Sequence, residues 1–132
     1  MDVEVIRIDR GKALAEEIKR ATEERGLYNS WILGGVGALE CAEIGVYRWD
    51  EERYEKLRVE EPMELISMQG NVSDEGIAHI HCSLSNGERT VSGHFFDARV
   101  HIFAELAFLR LDTRLTRKRE IKKGLKALDV ER

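Results

Sequence analysis

From Ser30 onward the chain is a succession of short runs rich in β-branched, aromatic or alternating residues, each ended by turn chemistry. That pattern restricts it to a fold dominated by strands. The runs are Ser30–Leu39, Ala42–Trp49, Arg53–Val59, Met63–Gln69, Ile77–Leu84, Thr90–Phe96 and Val100–Leu109. Ahead of them, residues 2–9 (DVEVIRID) alternate with one slip of phase and predict a further strand. Leu14, Ile18 and Ala21 then recur at i, i+4 and i+7, which predicts one helix over about residues 11–25, with Asp9 as its N-terminal cap and Gly26 as its stop. The expected class is α+β: a mainly antiparallel β-sheet of about seven strands with that one principal flanking helix. Asp50-Glu51-Glu52 turns a hairpin between Tyr47 and Tyr54, and Pro62 marks a sheet edge or a strand start. Gly34-Gly35-Val36-Gly37 fits neither phosphate-loop pattern and reads as a strand packed close against another backbone.

A chain of 132 residues, 42% hydrophobic and 35% charged, is expected to form one domain, 1–132, with a core that needs no disulfide. No apolar run approaches the roughly 18 residues of a spanning helix, and no signal-peptide stretch opens the sequence, so a cytoplasmic protein without a membrane partner is expected. Cys41 and Cys82 lack metal-knuckle or redox spacing and read as two free buried thiols. The net charge of −4 is uneven. Residues 110–132 hold nine Lys or Arg against four Asp or Glu, leaving 12 against 21 elsewhere. Ile121, Leu125 and Leu128 in this basic tail suit a short amphipathic helix.

All four histidines fall between residues 79 and 101. Asn86-Gly87 between two β-like runs predicts a two-residue hairpin turn, because its positive φ angles suit that pair. Pairing Ser85 with Glu88 sets His79 across from His94 and His81 across from Ser92. His79 and His81, two apart on one strand, share a face, and His94 joins them there. Directly opposed Cβ atoms lie about 4.5–5.5 Å apart, so the three imidazoles could converge on one ion with a fourth position open. Cys82 faces the other way by parity. His101 has no register argument and reads as structural. Glu105, amid HIFAEL, is a candidate general base or a second carboxylate behind the ligands if it lies near the histidines.

Several segments resemble a known family. GGVGAL at Gly34–Leu39, GNVS at Gly70–Ser73, HIHCSL at His79–Leu84 and SGHFFDARVHIFAEL at Ser92–Leu106 are similar to the plants-and-prokaryotes-conserved (PPC) domain over nearly the whole chain. Plant members carry an AT-hook of the Arg-Gly-Arg-Pro kind, which this sequence lacks, so the resemblance implies a free-standing prokaryotic member. It further implies an antiparallel sheet with a flanking helix, assembled as a homotrimer. Some prokaryotic members hold a metal through the HxH pair and the histidine of a GGH segment, matched here by His79, His81 and His94, with Ser92 in place of the first glycine. The family glutamate falls at Glu105, and a functional His101 would be particular to this protein. Arg117 and Lys123-Gly124-Leu125 match the family's closing arginine and TGL-like segment, with Lys for Thr, which implies a final strand rather than a helix in the tail.

Three functions compete at this stage. The first is a trimeric protein with a three-histidine zinc (or other divalent transition metal) site, serving a small anionic ligand or a regulatory role. The second is a hydrolase or lyase using a metal-bound water. The third, DNA binding, sits poorly with an acidic body that offers no broad basic face.

Overall fold

The computed structural model describes residues 2–132. Its elements are β1 (Val3–Asp9), α1 (Leu14–Arg25), β2 (Ser30–Arg48), β3 (Arg53–Val59), β4 (Met63–Val72), β5 (Ala78–Ser85) and β6 (Thr90–Arg110). Four short strands close the chain: β7 (Arg114–Thr116), β8 (Glu120–Lys122), β9 (Leu125–Lys126) and β10 (Asp129–Glu131). Mostly antiparallel sheet with one helix is thus what forms.

Six strands make the main sheet in the order β1-β6-β5-β4-β2-β3, and β6 pairs with β2 as well, so β2, β4, β5 and β6 close into a ring. Four of the expected runs fuse into two long strands, β2 and β6, which pair along most of their length. Register shifts between Gly37 and Ala38, Leu39 and Cys41, and Glu43 and Ile44 absorb the phase breaks that made each strand read as two. At Gly37 (φ +150°) an added Cβ would lie 2.4 Å from the Phe103 carbonyl oxygen, so the glycine-rich stretch does pack against a neighbouring backbone. Tyr47 pairs with Tyr54 across the β2–β3 turn, as the hairpin reading requires.

Helix α1 lays Leu14, Ile18, Ala21 and Thr22 inward and ends at Gly26 in the left-handed region (φ 63°). Asp9 does not cap it. Asp9 closes β1, where its carboxylate accepts from Arg7, and the N-cap residue is Ala13, without a side-chain cap of its own. The carboxylate of Asp97 on β6 accepts the Ala15 amide at 3.1 Å and does that work from 82 residues away. Leu14, Leu27, Ile32, Ile44, Met68 and Phe108 are wholly buried in the single core. The tail is not helical: β7 pairs with β10 and β8 with β9, and of these only β7 packs inward, through Leu115 and Thr116, while β8 and β9 lie exposed. No helix among the described residues is long and apolar enough to cross a membrane.

Candidate metal centre

Strands β5 and β6 form the hairpin that carries the histidines. The turn is longer than two residues: Ser85 pairs with Thr90, and Asn86–Arg89 form the loop. Asn86 N–H donates to the Arg89 carbonyl at 3.3 Å, while Asn86 Oδ1 accepts from the amides of Glu88 and Arg89 and Ser85 Oγ accepts from Gly87, so side chains supply most of the acceptors within the loop. The pairing therefore slides by two residues, setting His81 rather than His79 opposite His94. A slide of two preserves side-chain parity. The three rings still share one face, with centroids 5.1, 5.5 and 5.6 Å apart. Each offers a ring nitrogen within 4.8 Å of the others, and among the described residues no carboxylate or thiol joins the group.

Close strand approach holds this geometry. An added Cβ at Gly93, just before His94, would sit 2.3 Å from the Gly45 carbonyl oxygen, so β2 and β6 meet there only because residue 93 is glycine. Ser92, where the family has another glycine, is accepted easily: its hydroxyl bonds that of Ser83 on the paired strand at 2.8 Å. Cys82 lies in the core on the opposite face, and burial pushes its thiol up to about 12, leaving an inert side chain.

His79 and His94 are half-buried, and His81 is exposed. Burial, then Arg117, then the neighbouring imidazoles bring His79 down to about 4. Burial first, and His81 second, lower His94. Both are neutral at pH 7, the state in which imidazole ligates. A tetrahedral zinc with bonds of about 2.0–2.1 Å would set its nitrogens about 3.4 Å apart, so small side-chain rotations bring three such rings into ligand geometry. His94 Nδ1 is buried without a partner, as befits a ring whose polar atoms are aimed at something other than protein. The donor set fits a divalent transition metal.

Two further residues frame the centre. Arg117 donates through Nη2 to Asn71 Oδ1 at 2.9 Å and meets His79 Nδ1 at 3.2 Å, while Nη1 donates to the Lys126 carbonyl. Arginine cannot accept, so His79 Nδ1 is the acceptor and the neutral ring carries its proton on Nε2. Whichever nitrogen of neutral His79 ligates, Arg117 must give up this hydrogen bond. Arg117 Nε is buried and unpartnered, and the side chain has no carboxylate partner. Asn71, 5% exposed, was not legible as a site residue, since a lone asparagine in GNVS carries no spacing signal. Arg117 was visible only through the family resemblance, without a role.

Glu105 stands elsewhere. It is exposed in the second half of β6, paired with Arg7 and Val36, and eleven residues along the strand from His94, a run of roughly 36 Å at about 3.3 Å per residue. Within its own chain it neither backs the ligands nor serves them as a base. The hydrophobic neighbours that suggested burial point inward on alternate positions, leaving Glu105 on the solvent side. His101 pairs with Ala38 in the same half of the strand, with a buried Nδ1 that lacks a partner.

The chain matches the model of the Plants and Prokaryotes Conserved (PCC) domain over residues 1–111. It is similar to a metal-containing protein from Archaeoglobus fulgidus, with 32% identity and a TM-score of 0.86, covering 96% of this chain and 92% of that one. A plant- and prokaryote-conserved (PPC) protein from Pyrococcus horikoshii shares 26% identity and a TM-score of 0.83, covering 98% and 92%. A protein from Bacteroides thetaiotaomicron described as a candidate DNA-binding protein shares the fold, with a TM-score of 0.87 at 21% identity, covering 98% and 93%. No curated protein matches the chain. The family model spans most of the chain, and the archaeal proteins share its fold over nearly their whole length: the chain belongs to the Plants and Prokaryotes Conserved domain family.

Proposed function

We propose that this is a metal-binding member of the family, in which His79, His81 and His94 hold one divalent transition metal, zinc by donor set, with an open position for a small anionic ligand. One observation carries the reading: three imidazoles on one sheet face, with ring nitrogens within 4.8 Å and, among the described residues, no acidic or thiolate partner. A structural zinc site is usually closed by four protein ligands. Three ligands on a chain with a full core favour a site for ligand rather than for folding. The Archaeoglobus fulgidus protein, described as metal-containing, supports the reading.

Bound zinc would supply Lewis acidity and a water of lowered pKa. The chain itself supplies the cation Arg117 on the His79 side and no carboxylate within the cluster. A metal-bound water needs no carboxylate to attack, but the charged group beside the cluster, Arg117, is a cation, which favours binding an anion.

DNA binding is the weaker alternative. The body is acidic, and about half of the tail's positive charge is compensated: Arg110 pairs with Asp2 and Glu4, Arg114 with Asp74 and Glu131, Arg119 with Asp129 and Lys122 with Glu52. A salt-dependent shift assay comparing the full chain with one ending at Leu111 tests it.

Assembly as a homotrimer in the cytoplasm completes the proposal. Val36, Ile66, Ile102 and Phe103 are 50, 48, 58 and 40% exposed around one apolar hollow that also takes in Gly37 and Leu65. Such a patch suits burial against further copies of the chain. Elemental analysis of untagged protein, with zinc titration by calorimetry, tests the metal. One ion per chain is expected in the wild type and none in His94→Ala; no metal in the wild type would end the proposal.

A further inference from the structure

From the open groove beside His94 we infer that the anionic ligand of this centre is a flat aromatic acid, its acid group at the metal and Arg117 and its ring on Tyr54, Tyr47 and Trp49. The inference rests on the metal reading above and names the class of ligand that the site takes.

A groove of about 600 Å³ runs from His81 and His94 to the β2–β3 turn, within the size range of small-molecule sites. Aromatic rings continue along it without a break. His94 and Tyr54 have centroids 5.0 Å apart, Tyr54 and Tyr47 5.2 Å, and Tyr47 and Trp49 4.8 Å. Register explains the row: Gly45 pairs with His94, Tyr47 lies two residues beyond Gly45, and Tyr54 faces Tyr47. A side chain at Gly45 would collide with the Phe96 and Tyr54 rings, at 2.5 and 3.2 Å, so glycine there lets the aromatic row reach the histidine. The row ends on Trp49, 84% exposed. An indole left in water contributes little to the fold, whereas a stacked ring would cover it.

Beyond the groove wall, on the far side of the histidine cluster, Arg117 stands against His79 and supplies the charge. Lys122 on the groove wall is held by Glu52, and Lys56, which lies over Phe96, pairs with Glu43 at 3.9 Å, so the aromatic end carries little free positive charge. Arg117 is different: its partners are a carbonyl, an amide oxygen and an imidazole, all neutral, and its Nε has none. When His79 ligates, Arg117 loses one more acceptor. A carboxylate beside the metal would accept from the donors thus left over. A ligand joining these two ends needs an acid group on a planar body. A neutral ring would leave Arg117 unpaired, and a bare small acid would leave the aromatic row uncovered.

The probe is 2-naphthoate, with acetate and 2-naphthamide as controls, titrated calorimetrically into the zinc-loaded full chain while the Trp49 indole N–H is followed by NMR. Naphthoate is expected to bind at least about tenfold more tightly than either control and to shift the Trp49 resonance. Trp49→Ala, an exposed turn position, should weaken naphthoate about tenfold while leaving acetate and zinc binding unchanged, and Trp49→Phe should restore most of the loss. If zinc binds but naphthoate binds no better than acetate, or Trp49→Ala changes nothing, this inference fails and the metal centre stands. Equal naphthoate binding by wild type and by zinc-free His94→Ala would overturn the placement of the acid group. If zinc itself does not bind, the reading beneath falls first, and the calorimetry shows it separately.

Discussion

Two stretches of β6, residues 92–96 toward its histidine end and residues 100–104 in its apolar middle, present opposite kinds of surface. Around residues 92–96 the strand passes from β5 to β2, with His94 paired to Gly45 on one side and His81 on the other, and its face bears His94 and Phe96 among tyrosines, the other two histidines, Arg117 and Asn71. Polar atoms there find partners or point at a common centre. Around residues 100–104 the pairing slips, with Ala38 opposite His101 but Gly37 opposite Ala104. Ile102 sits at φ 56°, a region that a β-branched residue enters at a cost of about 1–2 kcal/mol. Beside it, Phe103 and Val36 lie open to solvent and His101 Nδ1 is unpartnered. The first stretch offers a few directed lone pairs, which suit an ion and a small ligand. The second offers area and strain, which suit a large apolar partner such as another copy of the chain.

Replacing one side chain in each stretch should separate these roles. The largest effect expected is at the histidine end: His94→Ala abolishes metal binding by elemental analysis, yet leaves the far-UV circular dichroism spectrum and the sedimentation coefficient unchanged. Melting of the whole chain on chelation would instead make the ion structural and erase the contrast. Phe103→Glu in the apolar stretch should do the reverse, releasing monomer at micromolar concentration in sedimentation while one ion per chain remains. Wild type already monomeric at that concentration would remove the case for a self-contact.

Stability effects come next in size. Leu14→Ala in the core should cost about 2–5 kcal/mol in denaturant unfolding with metal retained, whereas Ile102→Gly should change monomer stability by less than about 1 kcal/mol because it relieves the positive φ. A loss at residue 102 as large as that at residue 14 would show that Ile102 is a core residue and the bulge unstrained.

The remaining test concerns pH. Folded His79 protonates only at about 4, whereas its ordinary value is 6.5, so between these the unfolded chain binds more protons. Metal-free protein should therefore lose stability as pH falls from about 6.5 toward 4, and His79→Gln should flatten the slope by up to one proton. An unchanged slope would place the titration elsewhere.

What was legible in the sequence was local. Helix periodicity, the Tyr47–Tyr54 hairpin, the parity of Cys82 and the shared face of three histidines all follow from spacing. Parity was robust for a physical reason: the turn reading was wrong by two residues, and a slip of two leaves every side chain on its own face. What stayed hidden depends on distant pairings. The closure of β2, β4, β5 and β6, the fusion of four runs into two strands, the removal of Glu105 to the second half of β6 and the convergence of Arg117 and Asn71 on His79 are set by contacts between residues tens of positions apart. The aromatic row behind His94 lies between these cases, because its hairpin half was visible and its alignment with His94 across β2 and β6 was not.

Asp97 is the acceptor at the start of α1, and this sets an order of events during folding. A helix of 12 residues is marginal on its own, and here its first turn has no local side-chain acceptor. The anchor arrives only when β6 has paired with β2, among the most distant pairings in the chain. The first turn of α1 should thus be completed late, and its amide protons should gain protection from exchange together with those of the central strands, not ahead of them. The helix is the part of the chain whose pattern is plainest in the sequence, and it waits on the part whose pairing is least so.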